Sequence, residues 1–210
     1  MNIFKKYIKR QGSDTGGFTL VELLIVIGLL GAIALIVISA INPIEQSNRA
    51  RDTRFKADGG QLISAIDRYF AAKSEFPWET TGSYTTDDTF GFVSAIDEGV
   101  GICGADCNTD GTLLNTSELK TEFRNRDFIK NSASVDKQLM IGKGTGASSS
   151  VYACFIPLAK STREKACADG KVYTLNTSTG ARTQITAGDA SCAAASATWV
   201  SGPQYVCIPE

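Results

Sequence analysis

Residues 16–41 read GGFTLVELLIVIGLLGAIALIVISAI. Two glycines and Phe18 precede an apolar run that is broken by a single carboxylate, Glu22. A charge at the centre of a bilayer costs about 2.5–3.5 kcal/mol, so a glutamate four positions into a membrane-length helix needs a partner. Leu23 to Ile38 is 16 residues without a polar side chain, longer than the usual h-region of about 7–15 residues in a cleaved signal peptide. A helix from Phe18 to Ile41 would measure about 36 Å, enough to cross a bilayer. Upstream, Lys5, Lys6, Lys9 and Arg10 face only Asp14, so the first 17 residues carry a net charge of +3. That excess places the N-terminus on the cytoplasmic side.

The string Gly17-Phe-Thr-Leu-Val-Glu22 after a short basic leader resembles the prepilin signal of type IV pilins and type II secretion pseudopilins. The resemblance covers Met1 to about Ile41 directly and the helix to Tyr69 more weakly. It implies that a prepilin peptidase in the membrane cuts the Gly17–Phe18 bond on the cytoplasmic side and N-methylates Phe18. It also implies that Glu22 pairs with the terminal amine of a neighbouring subunit during filament assembly. An ammonium on Phe18 and the Glu22 carboxylate would offset each other's desolvation at low dielectric. Two plainer readings compete. One is a simple signal anchor with Glu22 near the interface, and the other is a signal peptide cleaved near Ser39-Ala40, which the length of the apolar run disfavours.

Beyond the apolar run, Pro43 disfavours helical geometry at Asn42 and removes one backbone bond, so a kink or local break is expected there. The resemblance implies local bending or unfolding near such a proline, although Pro43 sits later than the usual helix proline of the family. From Glu45 to Lys73 the pattern stays helical. Its lower part is charged on most faces, with Arg49, Arg51, Asp52, Arg54, Lys56 and Asp58. Phe55, Leu62, Ile63, Ile66, Tyr69 and Phe70 then form one apolar stripe for a globular head. Gly59-Gly60 costs about 1 kcal/mol per glycine inside a helix and reads either as a second bend or as a close helix contact. Phe76-Pro77 ends the helix.

The remaining chain is one domain's worth of sequence. Residues 78–150 read as irregular, with one short helix near Glu118–Phe128. Strand signals follow at Val151–Pro157, Lys171–Asn176, Arg182–Thr186 and Tyr205–Ile208, the middle two joined in hairpin fashion. Segment 187–198, small and polar, reads as an exposed loop. The expected fold is therefore α+β: a long N-terminal membrane helix continuing into an amphipathic helix packed on a small antiparallel sheet, which is the type IV pilin fold that the resemblance implies. The expected organisation is a leader at 1–17, a membrane and filament-core helix at 18–41, its amphipathic extension at 42–76 and a disulfide-bonded head at 77–210.

Charge is near balance, with 21 basic and 22 acidic residues, but it is unevenly placed. Ser74 to Asp110 holds eight acids and no base, while Gly111 to Glu210 holds 11 bases and 8 acids. The contrast reads either as a solvated surface or as a guide for packing between heads. It lacks the clustered basic residues that nucleic-acid binding needs. All six cysteines (Cys103, Cys107, Cys154, Cys167, Cys192, Cys207) lie on the side that the charge rule places outside, so they read as disulfides. Proximity favours Cys103–Cys107, Cys154–Cys167 and Cys192–Cys207 among fifteen connectivities. Asp106, Asn108 and Asp110 match the start of a calcium loop, but Ser117 stands where the closing glutamate belongs and Glu118 falls one residue late. The alternative is an acidic turn pinned by a disulfide, and beyond this possible calcium no cofactor is expected.

With no histidine for a triad and no glycine-rich phosphate loop before a helix, the chain reads as a structural building block rather than an enzyme. The expected function is that of a type IV pilin, with a pseudopilin of type II secretion or a minor pilin as the alternative. Expected partners are identical or related subunits in a helical filament, the prepilin peptidase and inner-membrane assembly machinery. The expected location is the inner membrane as a single-pass precursor, then an extracellular filament.

Overall fold

The structure, a computed structural model, describes residues 16–40, 42–186, 188, 189, 192 and 195–210. The chain divides into two units, Met1–Asn42 and Pro43–Glu210. In the first unit the described residues form one helix, α1 (Leu20–Ala40). Every side chain from Leu20 to Ile38 is exposed, although nearly all are apolar. Such a helix, apolar on all sides, belongs in a nonpolar solvent. At about 1.5 Å per residue it is long and apolar enough to cross a membrane.

The second unit begins with α2 (Pro43–Lys73). Pro43 is its first residue, where a missing N–H costs no intrahelical bond. The apolar stripe packs as its spacing requires: Phe55, Leu62, Ala65, Ile66 and Tyr69 are buried, and Ile63 and Phe70 pack against the same core. The stripe rests on a four-stranded antiparallel sheet of order β1-β2-β3-β6, made of β1 (Phe90–Ser94), β2 (Met140–Lys143), β3 (Val151–Phe155) and β6 (Val206–Ile208). Gly59 lets the helix approach. A Cβ added there would come within 3.0 Å of Ile208 Cδ1 and 3.2 Å of Ala153 Cβ, whereas Gly60 faces open space. The glycine pair thus contains one close helix–sheet contact.

Both faces of the sheet are covered. In β3, Val151, Ala153 and Phe155 join the core beneath α2, while Tyr152 and Cys154 point to a second core. That alternation is the two-residue period of a strand. The second core gathers Phe92, Ile156, Ala166, Val172, Trp199 and Tyr205, drawn partly from α5 (Lys160–Ala168) and α6 (Ser196–Ser201). A separate hairpin pairs β4 (Tyr173–Leu175) with β5 (Arg182–Gln184). Four rings, Phe70, Phe76, Trp78 and Phe90, stack in series with centroids 4.4–4.6 Å apart, tying the end of α2 to β1. Two single-turn helices, α3 (Thr112–Asn115) and α4 (Asp127–Lys130), also belong to this unit.

Several sequence expectations need correction. Segment 78–150 is not wholly irregular, because it supplies β1 and β2. Both strands carry a glycine where a neighbour presses in: a Cβ on Gly91 would collide with the Thr177 carbonyl, and one on Gly142 would lie 2.7 Å from the Phe92 ring. A bulge between Phe90 and Val93 further breaks the alternation of β1. The helix near Glu118–Phe128 resolves into a 3₁₀ turn at Thr121–Asn125 followed by α4. Segment 187–198 is not an exposed loop throughout, since Cys192 is buried and α6 begins at Ser196.

The proximity pairing of cysteines fails for two of the three bridges. The disulfides are Cys103–Cys107, Cys154–Cys207 and Cys167–Cys192. The reason lies in the sheet, where β3 and β6 are neighbours whose register sets Cys154 directly opposite Cys207. Distance along the chain carries no information about that pairing.

Candidate functional site

At the N-terminal end of α1, Gly16 and Gly17 are non-helical and exposed, with open space where a side chain would stand. Phe18 is 80% exposed. The Gly17–Phe18 bond therefore precedes the helix in exposed backbone. The leader charges Lys5, Lys6, Lys9, Arg10 and Asp14 lie outside the described residues. So does Ile41, on which the kink expected at Pro43 depends.

Glu22 has partners inside its own chain. Thr19 is the N-cap of α1, its carbonyl accepting from Leu23 N at 3.2 Å. The Glu22 N–H donates to Thr19 Oγ1 at 3.2 Å, and Glu22 Oε2 accepts from Thr19 N at 3.0 Å and from Thr19 Oγ1 at 2.9 Å. This is a reciprocal capping box, which satisfies donors that a helix start otherwise leaves bare. It also puts the carboxylate at the positive end of the helix dipole. Among the described residues these bonds all fall on Oε2, so Oε1 remains open to a further donor.

A second polar constellation joins α2 to the head. Glu45 accepts from Lys160 N at 2.9 Å and Ser161 N at 3.2 Å, while Asp52 accepts from Ala159 N at 2.9 Å and Leu158 N at 3.1 Å. Ala159 is the N-cap of α5 and has no side chain to cap with. Two carboxylates two turns apart on α2 thus cap α5 from outside. Burial opposes ionisation of Glu45, yet the N–H groups of Lys160 and Ser161, aided by Arg49, lower its carboxyl to about 2. At the more deeply buried Asp52, desolvation wins and raises the carboxyl despite the N–H groups and Arg51. Arg51 donates to the Asp136 and Ile156 carbonyls and lies over the Phe55 ring. The sequence reading did not bring these groups out. The available signal was Asp52, a carboxylate on the same face as Phe55, Gly59 and Leu62.

The calcium-loop residues are engaged with their own surroundings. Asp106 Oδ1 accepts from Asn108 N at 3.1 Å and Thr109 N at 3.2 Å, Asn108 Nδ2 donates to Asp106 Oδ2, and Asp110 lies 3.2 Å from Arg124 Nε. Together with the Cys103–Cys107 bridge this forms a tight turn. Among the described residues no group of three or more His, Cys, Asp or Glu side chains is arranged to hold a metal ion.

Compared with protein-family models, curated proteins and solved structures, the chain gives no match.

Proposed function

We propose that the chain is a type IV pilin, a structural subunit cleaved at Gly17–Phe18, methylated on Phe18 and polymerised through its N-terminal helix into an extracellular filament. One observation carries the reading: the prepilin-like string Gly17 to Glu22 stands at the very start of a single helix of membrane length. The exposed apolar surface of α1 supports it, because such a surface needs lipid first and other helices afterwards. The disulfide-bonded head fits a subunit that works outside the cell. In this proposal the pilin fold is α1 and α2 together, carrying the sheet as a head. The partners are other copies, the prepilin peptidase and the assembly machinery of the inner membrane, where the precursor starts with its N-terminus inside.

Electron microscopy of material sheared from cells tests the proposal, with mass spectrometry of the assembled protein. Long fibres built of this chain and beginning at N-methyl-phenylalanine 18 are the expected result. Short fibres confined to the periplasm would move the assignment to a type II secretion pseudopilin. Assembled protein that keeps an unmodified Met1, or a chain found only as a membrane-bound monomer, would overturn it.

A further inference from the structure

Lys143, the last residue of β2, is fully buried, and its ammonium bonds to main-chain oxygens rather than to a carboxylate. Nζ donates to the Thr86 carbonyl at 3.1 Å and to the Asp88 and Gly144 carbonyls at 3.2 Å each, and it lies 5.0 Å from the centre of the Phe76 ring. Burial lowers its pKa, while Asp87, Glu79 and Asp88 pull the other way. The segment 82–89 covers it, yet that segment itself faces water: Thr86 and Thr89 are half-buried and its other residues are exposed. The tip of the segment is a self-contained turn. Asp88 N donates to the Thr85 carbonyl at 3.0 Å, and Asp88 Oδ2 accepts from Thr85 N at 2.7 Å and Thr85 Oγ1 at 2.9 Å. The further hydrogen bonds to the head are also polar ties at the surface. Gly146 N donates to the Asp87 carbonyl at 2.8 Å, Ala147 N to Asp87 Oδ1 at 2.9 Å and Thr86 Oγ1 to Glu79 Oε2 at 3.1 Å, and the Thr89 and Thr145 hydroxyls share a bond at 2.8 Å. Tyr84, packed edge-on against Phe90, is still 37% exposed. At the start of the segment stands Gly82, in the left-handed region at φ 76° with open space where a side chain would be.

We propose that residues 82–89 form a lid, hinged at Gly82, which opens as a unit to bring the Lys143 ammonium into water while the core beneath α2 stays folded, and which that ammonium draws shut again. Opening exchanges polar ties for water and uncovers little apolar surface, so it is far easier than unfolding the core. The turn at 85–88 keeps its internal bonds as it moves, which lets the lid travel in one piece. A buried ammonium without a carboxylate partner regains its hydration when the lid lifts, and this offsets part of what the broken bonds lose. Closure wins because Nζ holds two lid carbonyls at once, with a charge-assisted bond to each, and because Asp87 seats both its carbonyl and its carboxylate on the amides of Gly146 and Ala147. Lys143 is then a gated amine, which outside reagents reach through the open lid. This inference does not depend on the filament reading.

Amine labelling with a succinimidyl ester, read by mass spectrometry on the full-length, disulfide-bonded chain in detergent, measures the open lid, and amide exchange over residues 62–70 measures the core. In the unaltered protein Lys143 is expected to be labelled at a rate that urea below the unfolding range changes by less than about twofold, because the effect of urea scales with the surface exposed. Exchange over residues 62–70 should rise with the same urea. Asp87→Ala combined with Thr89→Ala should speed Lys143 labelling by roughly tenfold and leave exchange at 62–70 unchanged. Lys143→Met removes the ammonium and keeps an unbranched side chain, and it should speed exchange of the Gly146 and Ala147 amides by a similar factor. Lys143 labelled only in step with urea-driven exchange at 62–70 would overturn the lid, since the amine would then be reached by unfolding. A double variant whose labelling is unchanged, or accelerates together with exchange at 62–70, would overturn it too. So would unaltered exchange at Gly146 and Ala147 in Lys143→Met, because the ammonium would then not be what closes the lid.

Discussion

Thr19 and Glu22 cap each other: the Glu22 N–H bonds to the Thr19 hydroxyl, and the Glu22 carboxylate takes the Thr19 N–H and hydroxyl at 3.0 and 2.9 Å. The one acid in the apolar run is thus tied to the start of its own helix. This local role and the proposed pairing with a neighbouring Phe18 amine draw on the same carboxylate, whose Oε2 alone takes the Thr19 bonds. The two roles differ in what they require of residue 22. A capping box works with Glu or Gln at this position, whereas pairing with an ammonium requires the negative charge.

Glu22→Gln separates the two roles. It keeps the capping box, so membrane levels of the chain and exchange at Leu20 to Leu23 should match the unaltered protein. Filament number should nonetheless collapse, because an ammonium left unpaired in a dry helix bundle costs roughly 3–5 kcal/mol at each added subunit. Thr19→Ala should do the reverse, weakening the helix start by about 1 kcal/mol and speeding amide exchange in the first turn while the charge persists. Filaments in normal number from Glu22→Gln, counted by electron microscopy at matched membrane levels, would reduce Glu22 to a capping residue.

The observed cysteine connectivity sets an order of stability. In the chain-entropy account, closing the 53-residue separation of Cys154–Cys207 contributes about 4 kcal/mol, Cys167–Cys192 about 3.5 and Cys103–Cys107 about 2. Paired Cys→Ser variants should therefore lose urea resistance in that order. Peptide mapping of the unreduced protein should yield a Cys154–Cys207 linked fragment. A fragment linking Cys154 to Cys167 would contradict the register of β3 with β6.

The same bridges show why some of the fold was legible in the sequence and some was not. α1 and the stripe of α2 were readable because a helix writes its burial at short, regular spacings. Strands β3 to β6 stood out by their β-branched and aromatic residues. β1 and β2 did not, because Gly91 and Gly142 answer to neighbours far along the chain, the Thr177 carbonyl and the Phe92 ring. Disulfide partners and the Glu45–α5 contact are likewise tertiary relations with no local signature. At the N-terminus the Thr-x-x-Glu spacing was present in the sequence, but the reading gave weight to Glu22 alone.

Acid should loosen two specific ties. Glu45 is held at about 2 against an ordinary 4.5 by the amides of α5, and Glu210 at about 2 by Lys56 at 2.8 Å and Lys171 at 3.1 Å. The folded values lie below the unfolded ones, so as pH falls the unfolded chain takes up these protons first. The stability they supply is complete above about pH 5 and drains away as pH falls toward about 2. Glu45→Gln and Glu210→Gln should each flatten urea stability measured across that window and leave its slope above pH 6 unchanged. An undiminished slope in both variants would assign the acid sensitivity to other carboxylates.

Neighbouring glycines in α2 should respond with opposite signs. At Gly60 a methyl group meets nothing within 4 Å, so Gly60→Ala removes backbone freedom from the unfolded chain and should stabilise by about 0.5–1 kcal/mol. At Gly59 the same propensity gain is available, but the methyl would stand 3.2 Å from Ala153 Cβ and 3.0 Å from Ile208 Cδ1. The Ile208 side chain can rotate away. Ala153 cannot, because its Cβ is fixed to β3 in the centre of the sheet, so either the strand or the helix must shift. Overpacking of this kind costs roughly 1–3 kcal/mol, which exceeds the propensity gain and should make Gly59→Ala destabilising. Urea unfolding of the full chain in detergent measures both variants. A stabilised Gly59→Ala would mean that α2 rides higher on β3 and β6 than a close contact at Gly59 requires.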